Sequence, residues 1–257
     1  MDDPREATRL REKANAEEWV RRFILPHLSG ENRFLEVGCG PGEFIHAVMG
    51  EKPGIRAVGV DISPERIDVA RERNAEWPAT QFFARAAHET GLDTSSCDLV
   101  FSRFMMEYVR NKQEVVDEMF RVCRHGGKVI LQDLDGQLLW HYPERQPMMK
   151  DLEKVISALE QTGFDPFVGR KLAYFAKKAG FAETQVAIEP YHLIVGAVDP
   201  VSRGHWQAKL EIARPLVAQV FGSEDAASDF VNRCLAYFDD PETMTYSVLF
   251  TVTASKA

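Results

Sequence analysis

Between Phe34 and Gly42 an apolar, β-forming run meets a carboxylate and then three glycines at alternate positions, Phe34-Leu35-Glu36-Val37-Gly38-Cys39-Gly40-Pro41-Gly42. Glycine reaches positive φ without a Cβ clash and lets a bound molecule lie against the backbone. Ahead of the amphipathic segment Glu43 to Met49, this stretch reads as the first βα turn of a doubly wound nucleotide-binding sheet. A second apolar strand, Ala57-Val58-Gly59-Val60, ends on Asp61, nineteen residues after Gly42. A carboxylate at that point accepts hydrogen bonds from a ribose diol. Turn and carboxylate together constrain the chain far more than either does alone.

Charge decides between possible ligands. Dinucleotide sites rest a pyrophosphate on a helix N-terminus and read G-x-G-x-x-G. Here the third glycine falls one residue early, and Glu43 stands where that fingerprint wants glycine or alanine. Glu36 would set a further negative charge near an anion. A methionine moiety carrying an ammonium and a sulfonium turns the same carboxylate into an attractive group, so S-adenosyl-L-methionine fits better than NAD(P).

The motif Glu36-Val-Gly-Cys-Gly-Pro-Gly42 resembles the first motif of the class I S-adenosylmethionine-dependent methyltransferases, and Val58-Gly-Val-Asp61-Ile-Ser resembles their second. Cys97-Asp-Leu-Val-Phe-Ser-Arg103 and Arg121-Val-Cys-Arg-His-Gly-Gly-Lys-Val-Ile130 continue the likeness, with His125 in place of the family's usual proline. The four motifs stand in order across residues 34 to 134. Beyond them Gly163-Phe-Asp-Pro-Phe-Val-Gly-Arg170 is similar to bacterial members acting on small molecules. The resemblance implies an α/β fold, a doubly wound, mostly parallel, seven-stranded Rossmann-like sheet whose last strand runs antiparallel.

Patterning along the chain agrees. Strands are expected near 33–37, 56–60, 80–84, 98–102 and 127–133, and helices near 42–50, 64–76 and 112–124, the last ending at Gly126-Gly127. Ser63-Pro64 suits an N-cap followed by proline at the first helical position. Residues 136–147 read as an irregular loop, followed by helices near 146–161 and 167–179, a strand over 183–195 and a helical pair over 200–239 broken at Gly222-Ser223. Met244 to Thr253 alternates as a half-buried edge strand. The whole, 1–257, is expected as one domain. It divides into an N-terminal helical lid (1–30, with Arg9-Leu10 resembling family N-termini), a cofactor-binding core (31–135), helical cap insertions (136–180 and 197–240) and final strands (181–196 and 241–257).

Composition narrows the partners. A net charge of −8 argues against a broad electrostatic grip on nucleic acid. No apolar run of about 18 residues suggests a membrane span, and the N-terminus is polar rather than signal-like. Four scattered cysteines without C-x-x-C fit a reducing cytoplasm and suggest no metal.

As the resemblance implies, Glu36, Gly38, Cys39 and Gly40 would hold the methionine end and Asp61 the ribose. Ile62 would face the adenine, with Ala86 and Ala87 reading its edge by backbone groups and Ser102 and Arg103 closing the site. Ala86 stands where the family often has an acid, which leaves His88 as a substitute. Alignment of an acceptor falls to residues after the fourth and fifth strands: Arg103, Glu107, Tyr108, Asp133, Asp135, His141 and Tyr142. Trp140, Tyr142, Phe164, Phe167, Tyr191, His192 and Trp206 would roof the cofactor or simply form a core between helices. The expected activity is methyl transfer to a small organic metabolite, in secondary or cofactor metabolism. A non-catalytic binding module and an NAD(P)-dependent oxidoreductase are the alternatives. Oligomeric state and the methylated atom stay open.

Overall fold

The structure, a computed structural model, describes residues 16–30 and 32–257; Arg9-Leu10 and the first half of the expected lid lie outside that range. Seven strands form one sheet in the order β3-β2-β1-β4-β5-β7-β6. Strands β1 (Arg33–Val37), β2 (Arg56–Asp61), β3 (Thr80–Ala84), β4 (Cys97–Arg103) and β5 (Cys123–Tyr142) pair in parallel. Strand β7 (Met244–Ser255) runs antiparallel to both β5 and β6 (Ala182–Val195). The chain moves outward from β1 to β3 and then returns to the other side of β1 as β4. That reversal opens a crevice at the carboxyl ends of β1 and β4, where such sheets bind ligands.

Among the described residues eight α-helical segments accompany the strands: α1 (Ala16–Trp19, continuing as a π turn over Val20–Ile24), α2 (Glu43–Glu51), α3 (Pro64–Arg73), α4 (Lys112–Val122), α5 (Gln146–Gln161), α6 (Leu172–Ala179), α7 (Pro200–Phe221) and α8 (Glu224–Phe238). The Ser63 hydroxyl caps α3 by accepting the Arg66 N–H at 3.3 Å, with Pro64 behind it. The sheet is covered on both faces. Neighbours in β1 show the alternation: Phe34 joins Val20, Ile45, Ile67 and Leu99 on one side, whereas Leu35 joins Val100, Val115, Met119 and Leu172 on the other. A strand buried on both faces reads as a continuous apolar run, as Phe34-Leu35 does. A third cluster, including Leu152, Trp206, Leu210, Phe230 and Tyr237, ties α5, α7 and α8 together.

Three expectations are corrected. Residues 136–142 are not an irregular loop: β5 runs on to Tyr142 because β7 supplies a partner, with Trp140 opposite Tyr246 and His141 opposite Thr245 after a register shift. Helix α4 stops at Val122 rather than at Gly126-Gly127, and the chain is extended from Cys123. The last strand is interior, between β5 and β6. The edge belongs to β6, which leaves Val186 and Ile188 exposed. Among the described residues no helix is long and apolar enough to cross a membrane.

Candidate active site

A cavity of about 560 Å³ lies over the carboxyl ends of the parallel strands, lined on one side by the glycine turn. Backbone hydrogen bonds hold that turn: Gly38 and Cys39 donate to the Val60 carbonyl at 2.7 and 3.0 Å. Asp61 pins it from the next strand. One carboxylate oxygen accepts the Gly40 N–H at 2.9 Å and the other the Ser63 N–H at 3.0 Å. The φ angles of Gly38 and Gly40, 78° and 50°, lie in the left-handed region. A Cβ on Gly38 would come within 2.8 Å of Met105, whereas one on Gly40 would meet nothing within 4 Å. The space beside Gly40 belongs to the cavity. Gly40→Val therefore adds left-handed strain of roughly 1–2 kcal/mol or more in a β-branched residue and fills ligand space. Affinity for S-adenosylmethionine should drop at least tenfold while far-UV circular dichroism keeps its wild-type shape; tight binding by this variant would move the ligand off the turn.

Glu36 is the unusual group here. It is 3% exposed, and its Oε2 has no hydrogen-bond partner. Burial pushes its carboxyl well above the usual carboxylate range; Arg103 opposes that shift, Asp61 and Glu43 add to it, and the Ile45 N–H lowers it again. A buried carboxylate oxygen facing a ligand cavity is costly unless a donor arrives. An ammonium would supply both donor and counter-charge. Glu43 is already held by Arg73 at 2.9 Å, so it does not answer the same need. At the far end Ile62, 77% exposed, lines the cavity with Ala86, Ala87 and His88, a flat apolar wall with backbone groups for a purine.

The structure thus brings Glu36, Gly38, Cys39, Gly40, Asp61, Ile62, Ala86, Ala87, Arg103, Glu107 and Tyr108 to one cavity. It does not bring Ser102, Asp133 or His141. Side chains alternate along a strand, so Ser102 points away from the face that Arg103 uses and is 1% exposed. Asp133 is fully buried beside the cavity, while the next residue, Leu134, lines it. Its two oxygens accept the Glu107 and Leu134 N–H groups at 3.2 and 2.8 Å. Burial, and after it the Glu107 charge, raise its pKa. His141 is carried along the extended β5 to the Thr245 hydroxyl at 2.8 Å and packs on Tyr237. Asp135 is paired with Arg170 at 2.5 Å, and Tyr142 is 74% exposed.

Asp133 consequently reads as an organiser of the 104–108 turn rather than a base. Its folded pKa lies above its unfolded value, so stability is fullest below about pH 4 and is lost as pH rises from there toward the folded pKa. Asp133→Asn should flatten the dependence of melting temperature on pH across that window and leave cofactor affinity within threefold of wild type. A steep loss of affinity would return Asp133 to the site.

Sequence reasoning read Trp19 only as part of the expected N-terminal lid and did not single out Lys209. Trp19 from α1 lies over Arg103, 4.3 Å from ring centre to guanidinium carbon. Lys209 reaches the cavity from α7. Nothing in the local sequence of either indicates this, because both depend on how distant helices dock. Tyr191 and His192, read only as roof aromatics, also line the cavity.

Residues 35–131 match the family model described as "Methyltransferase domain". The chain is 29% identical over 150 residues to an uncharacterized 37.1 kDa protein in transposon TN4556 of Streptomyces fradiae, covering 58% of this chain and 43% of that protein. It is 28% identical over 146 residues to phosphatidylethanolamine N-methyltransferase of Cereibacter sphaeroides (55% and 67%). Over 102 residues it is 28% identical to malonyl-[acyl-carrier protein] O-methyltransferase of Serratia marcescens (40% and 38%). The chain thus spans from 38% to 67% of these curated relatives' lengths. Among solved structures it resembles Haemonchus contortus phosphoethanolamine N-methyltransferase 2 in complex with phosphomonomethylethanolamine and S-adenosylhomocysteine. That match has a TM-score of 0.60 at 19% identity and covers 95% of this chain and 54% of that one. It also resembles the [4+2]-cyclase SpnF, with a TM-score of 0.59 at 15% identity, covering 94% and 80%.

Proposed function

We propose that this chain, a member of the class I S-adenosylmethionine-dependent methyltransferase family, transfers a methyl group from S-adenosylmethionine to a small organic acceptor. The observation that carries the reading is the unpartnered carboxylate oxygen of buried Glu36 beside a glycine turn that Asp61 pins. Those residues fit the cofactor: Glu36 takes the methionine ammonium, Asp61 the ribose hydroxyls, Ile62, Ala86 and Ala87 the adenine. When bound, S-adenosylmethionine supplies an electrophilic methyl group on a sulfonium. The protein's contribution is alignment and exclusion of water. Arg103, which ends β4, and Glu107 and Tyr108 just after it line the same cavity; in this reading they face the acceptor, and Glu107 accepts a proton from a hydroxyl or ammonium acceptor. A cavity of about 560 Å³ falls within the ordinary range for small-molecule sites.

Calorimetric titration tests the cofactor half. S-adenosylmethionine and S-adenosylhomocysteine should bind with micromolar dissociation constants, and NAD should not bind; the reverse order would establish the oxidoreductase alternative. Incubation with methyl-labelled cofactor and a metabolite extract should then label a small molecule. Tight cofactor binding without any transfer would leave a binding module.

A further inference from the structure

Arg103 is an expensive residue to build. Its guanidinium carbon lies 4.3 Å from the Trp19 ring centre, 5.1 Å from that of Phe44 and 3.9 Å from that of Phe104. Its one hydrogen bond goes to the Tyr191 hydroxyl, at 3.4 Å. Nε is buried without a partner, and no carboxylate lies within ion-pair distance among the described residues. Burial lowers its pKa, and Tyr191 and the Glu36 and Asp133 carboxylates oppose that shift.

The surround is rigid. The Trp19 indole donates to the Gln132 side chain at 2.7 Å, and Gln132 donates to the Thr251 hydroxyl at 2.9 Å. The residues after Arg103 and Tyr191 both adopt left-handed backbone angles without being glycine, Phe104 at φ 51° and His192 at φ 52°. Such backbone costs roughly 1–3 kcal/mol per residue and gathers at functional sites. Aromatic faces stabilise a guanidinium, but they leave its in-plane donors seeking an anion. Lys209 lines the same cavity as Arg103 and adds a second cation, and His192 lines it too, while the carboxylates Glu36, Glu43, Asp61 and Glu107 also border it.

We infer that the wall of Arg103, Tyr191, His192 and Lys209 is a receptor for an anionic group, a carboxylate or phosphate, on the methyl acceptor. The inference rests on the methyl-transfer reading for the word acceptor, but the anion site itself does not. Tyr191 and His192 come from β6 and Lys209 from α7, beyond the elements that carry the glycine turn and Asp61. Tyr191 draws the guanidinium toward that side. An acceptor held by its anion there would present its nucleophilic atom to the cavity between Arg103 and the turn.

Inorganic phosphate and malonate are suitable probes, titrated into the protein with and without saturating S-adenosylhomocysteine. At least one should bind wild type with a millimolar or tighter dissociation constant. Arg103→Gln should weaken it tenfold or more, and Lys209→Ala three- to tenfold, while S-adenosylhomocysteine affinity stays within threefold in Lys209→Ala. Lys209 is half-buried on α7, its ammonium 5.4 Å from the Trp206 ring centre; its variant leaves the Arg103 surround intact and keeps the experiment interpretable where Arg103→Gln unfolds. Binding of neither anion, or anion binding indifferent to both substitutions, overturns the proposal. So does a tenfold loss of S-adenosylhomocysteine affinity in Arg103→Gln with anion binding intact, which would give the guanidinium to the cofactor's own carboxylate. If wild type binds the anions but not S-adenosylhomocysteine, the methyltransfer reading fails and the anion site stands.

Discussion

Asp61→Ala should weaken S-adenosylmethionine binding by roughly 3–4 kcal/mol, about two to three orders of magnitude. Two separate losses combine. The carboxylate is placed for the ribose hydroxyls, each a charge-assisted hydrogen bond of about 1.5–3 kcal/mol. It also accepts the Gly40 N–H at 2.9 Å and the Ser63 N–H at 3.0 Å, so its removal frees the turn that must already be shaped when the ligand arrives. Asp61→Asn separates the two effects, since its carbonyl oxygen still accepts one N–H. It should fall between wild type and Ala in a titration. Equal affinity in wild type and Asp61→Ala, with the variant folded by circular dichroism, removes Asp61 from the site.

What was readable in the sequence follows the range of the interactions involved. The glycine turn, the Asp61 carboxylate and the Ser63-Pro64 cap are local devices. Each is fixed by a residue's own conformational or hydrogen-bonding preference, and each lies where expected. The first four strands are also local in this sense, being short apolar runs between turn residues. The extension of β5 to Tyr142 was not readable, because its partner is a strand more than a hundred residues away and Asp135 to Trp140 must shift register to meet it. That one non-local pairing moved His141 from the expected acceptor side into the contact with Thr245 and Tyr237. The alternation that keeps Ser102 and Asp133 out of the cavity was available in principle. It needed the orientation of Arg103 and Leu134, which depends on helices packing from both faces. Trp19 was legible only as part of the expected lid, without its contact to Arg103, and Lys209 carries no local sequence signal. The likeness to chains described both as an N-methyltransferase and as a cyclase makes the same point at a larger scale: the fold positions a crevice, and particular side chains decide its chemistry.

Glu36→Gln should raise the stability of the ligand-free protein and lower its affinity for S-adenosylmethionine, two effects of opposite sign from one atom. In the free protein burial raises the Glu36 pKa above its unfolded value of 4.5. Its folded state is then least penalised below about pH 4.5 and loses stability as pH climbs from there toward the folded pKa. Glutamine has no charge to desolvate, so above that window the variant should melt a few degrees higher, about 1–2 kcal/mol. Binding runs the other way. An ammonium needs the ionised carboxylate, so wild-type affinity should increase as pH rises through the Glu36 pKa, with a proton released on binding. The variant should bind about ten- to a hundredfold more weakly above that pKa and show little pH dependence below the titration of the ligand's own amine. Proton release is visible as a binding enthalpy that changes with the ionisation enthalpy of the buffer in wild type and not in Glu36→Gln. A variant that is both less stable and equally tight in binding would mean that Glu36 serves the Ile45 N–H and helix α2, not the cofactor. The predicted pairing, a more stable protein with a weaker grip, arises because the carboxylate is held in an environment suited to its ligand-bound state.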